Sequence, residues 1–519
     1  AFTGFYYAFF TCIIVFIAGV ILLLKKISVR RILFVLSGLG IVAFGVLTNV
    51  FPSLIYWMQN GINEKSELLI RAISDPEYYS LKMVQLFLPR QGHRLPAFAQ
   101  IAGDYHTYFL FNNENHTATL GMVAGFGFLI LLLLLFKKNF RRKYVEEIKL
   151  LNLGIFLTAT IGGIGGIFSM FVSTPMRCYN RLSVYIAFLS LLFLALTATD
   201  LLAKVRRIHI RRILCVGVSL AVLGVGLWDQ TTDYGVEEQA VATQSFDSDR
   251  EFIQKIEEKL PADSMVFELP VVGFPSGGNY DMYKGYMHSS QIIWSYGGMQ
   301  GREEHCWEMN LMNYPVNEFL DHLCYAGYQG LYVDSKIYAE KGMDFNLFLQ
   351  KVGMYLSEQP MISTDGRLYF WDLRGYQGQT AAVLGEEKFK RRQALEYNIL
   401  TSYESGFSEK QETLEGYIRW SDMISTIEIT YHGEEPCRVF LEGTVYSGHE
   451  EMSNLKISAN GSEQVIPFNN AGKEIHIPIE LHKGTNVITF ISDAVDIQVE
   501  GQPQVRNFKL GSPVLRIEE

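Results

Sequence analysis

The sequence predicts three units in tandem: a polytopic α-helical membrane domain, an extracytoplasmic α/β domain and a C-terminal β-sandwich. Three observations predict this. Six long apolar runs fall within residues 1–228. Charge divides at the same point, since residues 1–228 carry 22 of the 45 Lys+Arg but only 9 of the 54 Asp+Glu. Beyond Tyr403 the chain turns to short alternating strands separated by glycine turns. At 519 residues it is also too long for one domain.

A membrane crossing needs about twenty mostly apolar residues. Residues 5–24, 32–55, 117–136, 150–172, 182–202 and the shorter 213–227 are the candidates. Basic clusters orient them. Lys25, Lys26, Arg30 and Arg31 follow the first run. Lys137, Lys138, Arg141, Arg142 and Lys143 follow the third. Lys204, Arg206, Arg207, Arg211 and Arg212 lie between the fifth and sixth. These connections alternate, so all three clusters fall on the cytoplasmic side. The loops 57–116 and 173–181, and everything beyond Trp228, then lie outside. Ala1 also comes out external, with neither Met nor a signal peptide, so an upstream part with an odd number of spans is expected. The expected boundaries are 1–228 for the transmembrane domain, 246–373 for the α/β domain, 374–402 for a linker and 403–519 for the sandwich.

The loop 57–116 is the polar centre of the first domain. Asp75-Pro76-Glu77 reads as a helix start: an Asp cap, Pro in the first turn, then an acid. Leu81, Val84 and Leu88 share a face with Tyr78, and Pro89 stops the run. This is either an interfacial helix or an ordinary one packed on its own domain. Next, Arg90, His93 and Arg94 crowd around Gly92. Guanidinium forks suit phosphate oxygens and Gly permits close backbone approach, so a lipid phosphate or diphosphate is the natural ligand. Nonspecific headgroup binding is the plainer alternative. Asp104, Glu114 and His106 are the candidates for acid/base or metal work, although a lone acid in an external loop is usually only solvated. In the loop 173–181, Arg177 and Arg181 share a face if helical. Arginines beside hydrocarbon are costly unless paired or serving a ligand. With Arg90, His93 and Arg94 they are expected to form one cationic pocket for a lipid-linked phosphate, with snorkelling to headgroups as the alternative.

The outer half has helical patterns over 247–259, 316–326 and 345–356. Strands over 264–269, 330–333, 361–363 and 368–371 complete an α/β unit, the last two flanking the Asp365-Gly366 turn. Here His288, Trp294, Tyr296 and Arg302 are candidates to line a sugar groove or to dock on the membrane loops. Core packing is the equal alternative for the two aromatics. Strands over 426–431, 438–442, 455–459, 474–479 and 486–491, with turns at Asn460-Gly461 and Lys483-Gly484, give the sandwich. None of the six cysteines forms a C-x-x-C pair, which argues against a zinc site. Cys306 and Cys324 pair if their domain faces an oxidising compartment, or stay as two free thiols. An acidic outer half lacks the basic surface that nucleic acid requires.

Two motif sets together resemble one family. The first is Pro89-x-x-Gly92-His93-Arg94 with Arg177-x-Tyr179-Asn180-Arg181. The second is His288-Ser289, Trp294-Ser295-Tyr296-Gly297 and Gly301-Arg302, with Asp365-Gly366-Arg367-Leu368. They resemble bacterial envelope membrane proteins with a glycosyltransferase-C-like helical part, some labelled sugar transferase or phosphoglycerol transferase. The resemblance spans most of residues 5–373. The run Leu481-x-x-Gly484-x-Asn486-x-Ile488-x-Phe490 is similar to the last strands of galactose-binding-like jelly rolls, which implies a jelly-roll-like, carbohydrate-binding sandwich.

The resemblance implies a multi-pass protein of the bacterial plasma membrane that moves a sugar from a polyprenyl-phosphate-linked donor to an envelope glycan acceptor. Membrane lipids, the lipid-linked sugar and the glycan are the implied partners, and a divalent metal ion is the one cofactor left open. In C-type glycosyltransferases the usual base is an Asp or Glu of the first external loop, which precedes the spans present here. The role implied for Arg90, His93, Arg94, Arg177 and Arg181 is to hold the polyprenyl phosphate. Two further readings stay open. One is a non-enzymatic transporter or assembly factor for envelope polysaccharide. The other is a phosphoglycerol-type transferase, whose Thr or Ser nucleophile among clustered Asp/His ligands is not visible in the outer half.

Overall fold

The computed structural model describes residues 4–61, 71–137, 143–232, 236–275, 280–408, 411–413, 416–498 and 505–518. Lys138, Arg141 and Arg142 of the second basic cluster lie outside the described residues. The chain forms two compact units that divide between Val241 and Ala242.

The first unit is helical: α1 (Phe5–Lys25), α2 (Val29–Asn60), α3 (Asp75–Tyr79), α4 (Pro96–Tyr108), α5 (Gly121–Leu133), α6 (Lys143–Ala159), α7 (Ile164–Phe171), α8 (Ser183–Leu202) and α9 (Ile208–Gln230). Among the described residues, four stretches are long and apolar enough to cross a membrane: α1, α2, Tyr179–Leu202 and α9. The run expected at 117–136 is a shorter apolar helix that ends in a 3-10 turn, Leu134–Phe136. Phe10, Leu86, Phe128, Ile155, Tyr179 and Ile186 form the buried core. None of the described residues of α2 is buried.

The run expected as one span at 150–172 is two helices. α6 ends at Ala159, and Gly162 takes a left-handed φ of +69°. Leu81 fills the break: its N–H donates to Ala159 O at 2.9 Å, and its carbonyl accepts from Ile161 N at 3.0 Å. Strand-like pairing thus satisfies carbonyl and amide groups that a helix end leaves orphaned. A Cβ on Gly165 would lie 2.8 Å from both Thr158 O and the Tyr179 ring, so only glycine lets α7 restart there.

The same contact overturns the helix expected from Asp75 through Leu88. α3 stops after Tyr79, Leu81 is extended against α6, and a 3-10 turn covers Met83–Leu86. Leu81 is fully buried and Leu88 half-buried, while Val84 and Tyr78 are exposed, so these residues do not form one apolar stripe.

The second unit begins within α10 (Val236–Lys259), and its α/β part continues with β1 (Met265–Leu269), α11 (Lys284–His288), β2 (Ile293–Trp294), α12 (Glu303–Leu311) and α13 (Val316–Tyr325). It continues with β3 (Tyr328–Asp334), α14 (Ser335–Glu340), α15 (Phe345–Val352), β4 (Met361–Ile362) and β5 (Leu368–Asp372). The sheet order is β2-β1-β3-β5-β4, parallel from β2 to β3 and antiparallel beyond. Strand alternation assigns two cores. Phe267, Leu269, Leu331 and Val333 pack with α13 and α15. Val266, Tyr332, Trp294 and Phe370 pack with Phe252, Ile253 and Ile256 of α10. The stretch expected as a linker holds two helices, α16 (Arg374–Leu384) and α17 (Glu386–Leu395), with Phe389 buried against Tyr325.

The remainder is β-rich: β6 (Ile399–Phe407), β7 (Gln411–Thr413), β8 (Gly416–Tyr431), β9 (Cys437–Ser447), β10 (Ser453–Ala459), β11 (Ser462–Phe468), β12 (Lys473–Leu481), β13 (Gly484–Ser492), β14 (Ile497–Gln498), β15 (Val505–Arg506) and β16 (Phe508–Ile517). The long β8 pairs with β13 and β6 through its C-terminal part and with β16 near Ser421, so it belongs to both layers of a sandwich. Inward residues of both layers meet in one core, among them Ile427, Leu441, Ile457, Ile477, Phe490 and Phe508. Each such side chain contributes about 1.5–3 kcal/mol by leaving water.

Candidate functional site

The polar loop of the first unit docks on the α6/α7 break and builds a charged cluster there. Glu77 Oε1 accepts from Gly162 N at 3.2 Å, and Ser169 Oγ donates to Ile73 O at 3.2 Å. Asp75 is not a helix cap. Its carboxylate takes Arg177 Nη1 at 3.3 Å, and the Arg177 guanidinium stands 4.3 Å from the Tyr79 ring centre. Arg181 grips Glu114 with two bonds, Nε–Oε1 at 3.2 Å and Nη2–Oε2 at 2.8 Å, and lies 5.0 Å from the Tyr6 ring centre. Two parallel N–H···O bonds are the strong form of a guanidinium contact. Burial pushes the Glu114 carboxyl up, but the bonds from Arg181 outweigh it and hold Glu114 below the usual glutamate range.

Beneath these pairs the floor is buried and polar. Gln85 Nε2 donates to Asn115 Oδ1 at 2.9 Å, and neither side chain is accessible. Asn180 Oδ1 and Tyr179 Oη are buried without a hydrogen-bond partner among the described residues. Burial, with the hydrogen bond and charge of Glu114 added, pushes the neighbouring Cys178 thiol up to about 11, so it is protonated and not a thiolate.

The remaining expected residues engage other partners. His93 is buried between the rings of Phe98 and Trp228. Its Nε2 is 3.5 Å from Asp229 Oδ1, at ion-pair distance but outside hydrogen-bond geometry. Asp229 Oδ2 accepts from Met122 N at 2.8 Å and so caps α5. Arg94 is exposed and donates to Thr231 Oγ1 at 3.3 Å, and Arg90 is exposed. Of the five residues expected to form one pocket, Arg177 and Arg181 thus hold carboxylates of the docked loop, whereas His93 and Arg94 attach to the end of α9. Asp104 and His106 are exposed on α4, with the His106 ring 5.6 Å from that of His116.

In the α/β part the two aromatics take the core-packing alternative. Trp294 and Tyr296 are 3 % and 5 % exposed and belong to the core, because β2 packs its inward side against Tyr332. His288 is half-buried beside Phe246, with ring centres 4.5 Å apart, and Arg302 precedes α12. A pair of acids missing from the expectation lies here instead. Glu268 of β1 is 2 % exposed and its Oε2 accepts from Tyr296 N at 2.9 Å. Burial, with the charge of Glu308 added, raises it well above the ordinary value. Burial and the charge of Glu304 push Glu308 of α12 up to about 8. The available signal was a lone acid inside an apolar strand, Met265-Val-Phe-Glu-Leu269.

Among the described residues no group of three or more His, Cys, Asp or Glu is placed to hold a metal ion. Among the described residues no disulfide joins the cysteines, Cys306 and Cys324 included.

No family model and no curated protein matches the chain. Among solved structures it is similar to an exo-β-1,3-galactanase from Phanerochaete chrysosporium with bound β-1,3-galactotriose: 18 % identity over 23 % of this chain and 26 % of that one, TM-score 0.14. It is also similar to the C-terminal CBM6 of a marine laminarinase from Zobellia galactanivorans (13 % identity, 24 % and 100 % covered, TM-score 0.16). A family 35 carbohydrate-binding module from Clostridium thermocellum gives 18 % identity, 22 % and 88 % covered, and TM-score 0.14. The chain thus spans about a quarter of the galactanase. Likeness at these TM-scores supports no conclusion about this chain.

Proposed function

We propose that the chain is an integral membrane glycosyltransferase, similar to the C type, that moves a sugar from a polyprenyl-phosphate-linked donor to a cell-envelope glycan on the outer face of a bacterial plasma membrane. The observation that carries this reading is the paired cluster Arg177–Asp75 and Arg181–Glu114, built against a broken helix among apolar ones. Irregular backbone and charge are tolerated at membrane depth only where protein buries them or a function uses them. The membrane placement is supported by the four long apolar helices and by the alternating basic clusters.

The cluster suggests a mechanism. A guanidinium fork accepts phosphate oxygens in the same planar geometry as carboxylate oxygens, so a donor phosphate competes with Glu114 for Arg181. Glu114, released, takes the proton of the acceptor hydroxyl as that oxygen bonds the anomeric carbon. The bond from that carbon to the phosphate oxygen breaks, and Arg181 and Arg177 stabilise the departing phosphate.

The test uses membranes carrying the full-length protein, supplied with radiolabelled polyprenyl-phosphate sugars. Label passes into envelope glycan, and Arg177→Ala and Arg181→Ala each lower the rate about 100-fold with membrane insertion unchanged. Full activity in both variants overturns the phosphate site. Absence of transfer from every donor, by a correctly inserted protein, overturns the transferase reading.

A further inference from the structure

We propose that the α/β part carries a second site, at the carboxyl ends of its parallel strands, which binds a neutral sugar residue through Glu268 and the exposed ring pair Tyr283–Tyr286. The proposal goes beyond the transfer reaction and does not depend on it.

The fold supplies the location. β1 lies between β2 and β3, all three parallel, so the chain leaves β1 first to one side and later returns on the other. Crevices at such switch points, beyond the carboxyl ends of the strands, are where open parallel sheets bind ligands. Glu268 is the next-to-last residue of β1 and Trp294 is the last of β2.

The side chains supply a second, independent observation. Glu268 Oε1, Trp294 Nε1 and Tyr332 Oη are all buried without a hydrogen-bond partner among the described residues. The three residues are 2 %, 3 % and 1 % exposed, and the rings of Trp294 and Tyr332 meet edge to face at 5.6 Å. Unmade hydrogen bonds at such depth are costly, so three in one neighbourhood point to a polar partner that completes them.

Their chemistry selects the partner. An indole N–H donates, a phenol donates and accepts, and burial raises the Glu268 carboxyl well above its ordinary value, favouring the neutral form, which also does both. Sugar hydroxyls match that set. A phosphate would meet two carboxyl groups, Glu268 and Glu308, and no metal-holding group of three ligands occurs among the described residues.

The rim fits the same ligand. Tyr283 and Tyr286 stack at 5.4 Å with 28° between their planes, and both are nearly half exposed. Tyr286 Oη donates to Trp294 O, and the Tyr283 ring lies 6.3 Å from that of Tyr296, whose amide holds Glu268. Flat aromatic faces bury large apolar area at low entropic cost and suit the C–H face of a pyranose.

The test is saturation-transfer difference NMR on the full-length protein in phospholipid nanodiscs free of sugar detergents. The probes are glucose, galactose, mannose, rhamnose and N-acetylglucosamine, added singly. Saturation reaches the ring protons of at least one sugar, and the signal falls at least tenfold in Tyr286→Ala and in Glu268→Gln. Tyr283 and Tyr286 are surface residues, so Tyr283→Ala and Tyr286→Ala carry the test if Glu268→Gln does not fold. Binding persists in Arg181→Ala, which separates this site from the transfer site. No signal from any of the five sugars, or equal signals in wild type and both tyrosine variants, overturns the proposal.

Discussion

Glu114 and Glu308 are both partly or wholly withdrawn from water, yet their titrations move in opposite directions. Glu114 has a bidentate arginine and is held low, so its pairing adds stability above the ordinary glutamate range and loses it as pH falls. Glu308 has no cation among the described residues, and burial together with the charge of Glu304 keeps it protonated up to about 8. The native state therefore keeps a proton that the unfolded chain releases near 4.5. Stability is fully present below that value and falls as pH rises toward about 8, by up to about 1.4 kcal/mol per pH unit. Glu268 adds to the fall with the same sign. Unfolding midpoints followed by near-ultraviolet circular dichroism should decline from pH 5 to pH 8 in wild type and flatten in Glu308→Gln. An unchanged slope in that variant would assign the decline elsewhere.

Between elements, one charge network joins much of the α/β part. Arg367, just before β5, donates to Asp334 at the end of β3 and to Asp249 of α10. Lys284 of α11 lies 3.6 Å from Asp249 and 3.9 Å from Asp334. Both aspartates are at most 4 % exposed, so removing the arginine leaves buried carboxylates short of a counter-charge. Arg367→Ala should cost about 3–5 kcal/mol, seen as a drop in the unfolding midpoint of this unit. A loss below about 1 kcal/mol, the worth of a surface pair, would show that Lys284 and water suffice.

The same scale separates what was legible from what was not. The Asp365-Gly366 hairpin and the sandwich strands were readable because their signals are local: a turn dipeptide with Gly366 at φ +72°, and period-two alternation. The break in the 150–172 run was not, although Gly162, Gly163, Gly165 and Gly166 mark it, because its cause is Leu81 pairing across almost eighty residues of chain. Asp75 has the local signature of a cap, because Asp-Pro at a helix start usually is one. Its actual partner, Arg177, is 102 residues away. Trp294 and Tyr296 were ambiguous for the opposite reason, since an aromatic pair looks alike in a core and in a groove until its neighbours are known.

For the whole molecule, the division of charge in the sequence matches a division of surface. α2 leaves Phe34, Phe44 and Phe51 exposed and α9 leaves Ile213, Leu220 and Leu223 exposed, a far larger apolar surface than a water-facing helix carries. The second unit keeps its apolar residues in compact cores. The apolar surface of α2 and α9 thus lies on helices of the first unit, the same stretches whose length and composition suit a membrane.

The most direct measurement is photo-crosslinking with a polyprenyl phosphate that carries a photoreactive group beside the phosphate, using the full-length protein in native membranes. The account predicts label on peptides containing residues 113–118 and 177–181, reduced at least tenfold in Arg181→Ala while insertion is unchanged. Label spread evenly over the apolar helices, or undiminished in Arg181→Ala, would contradict it.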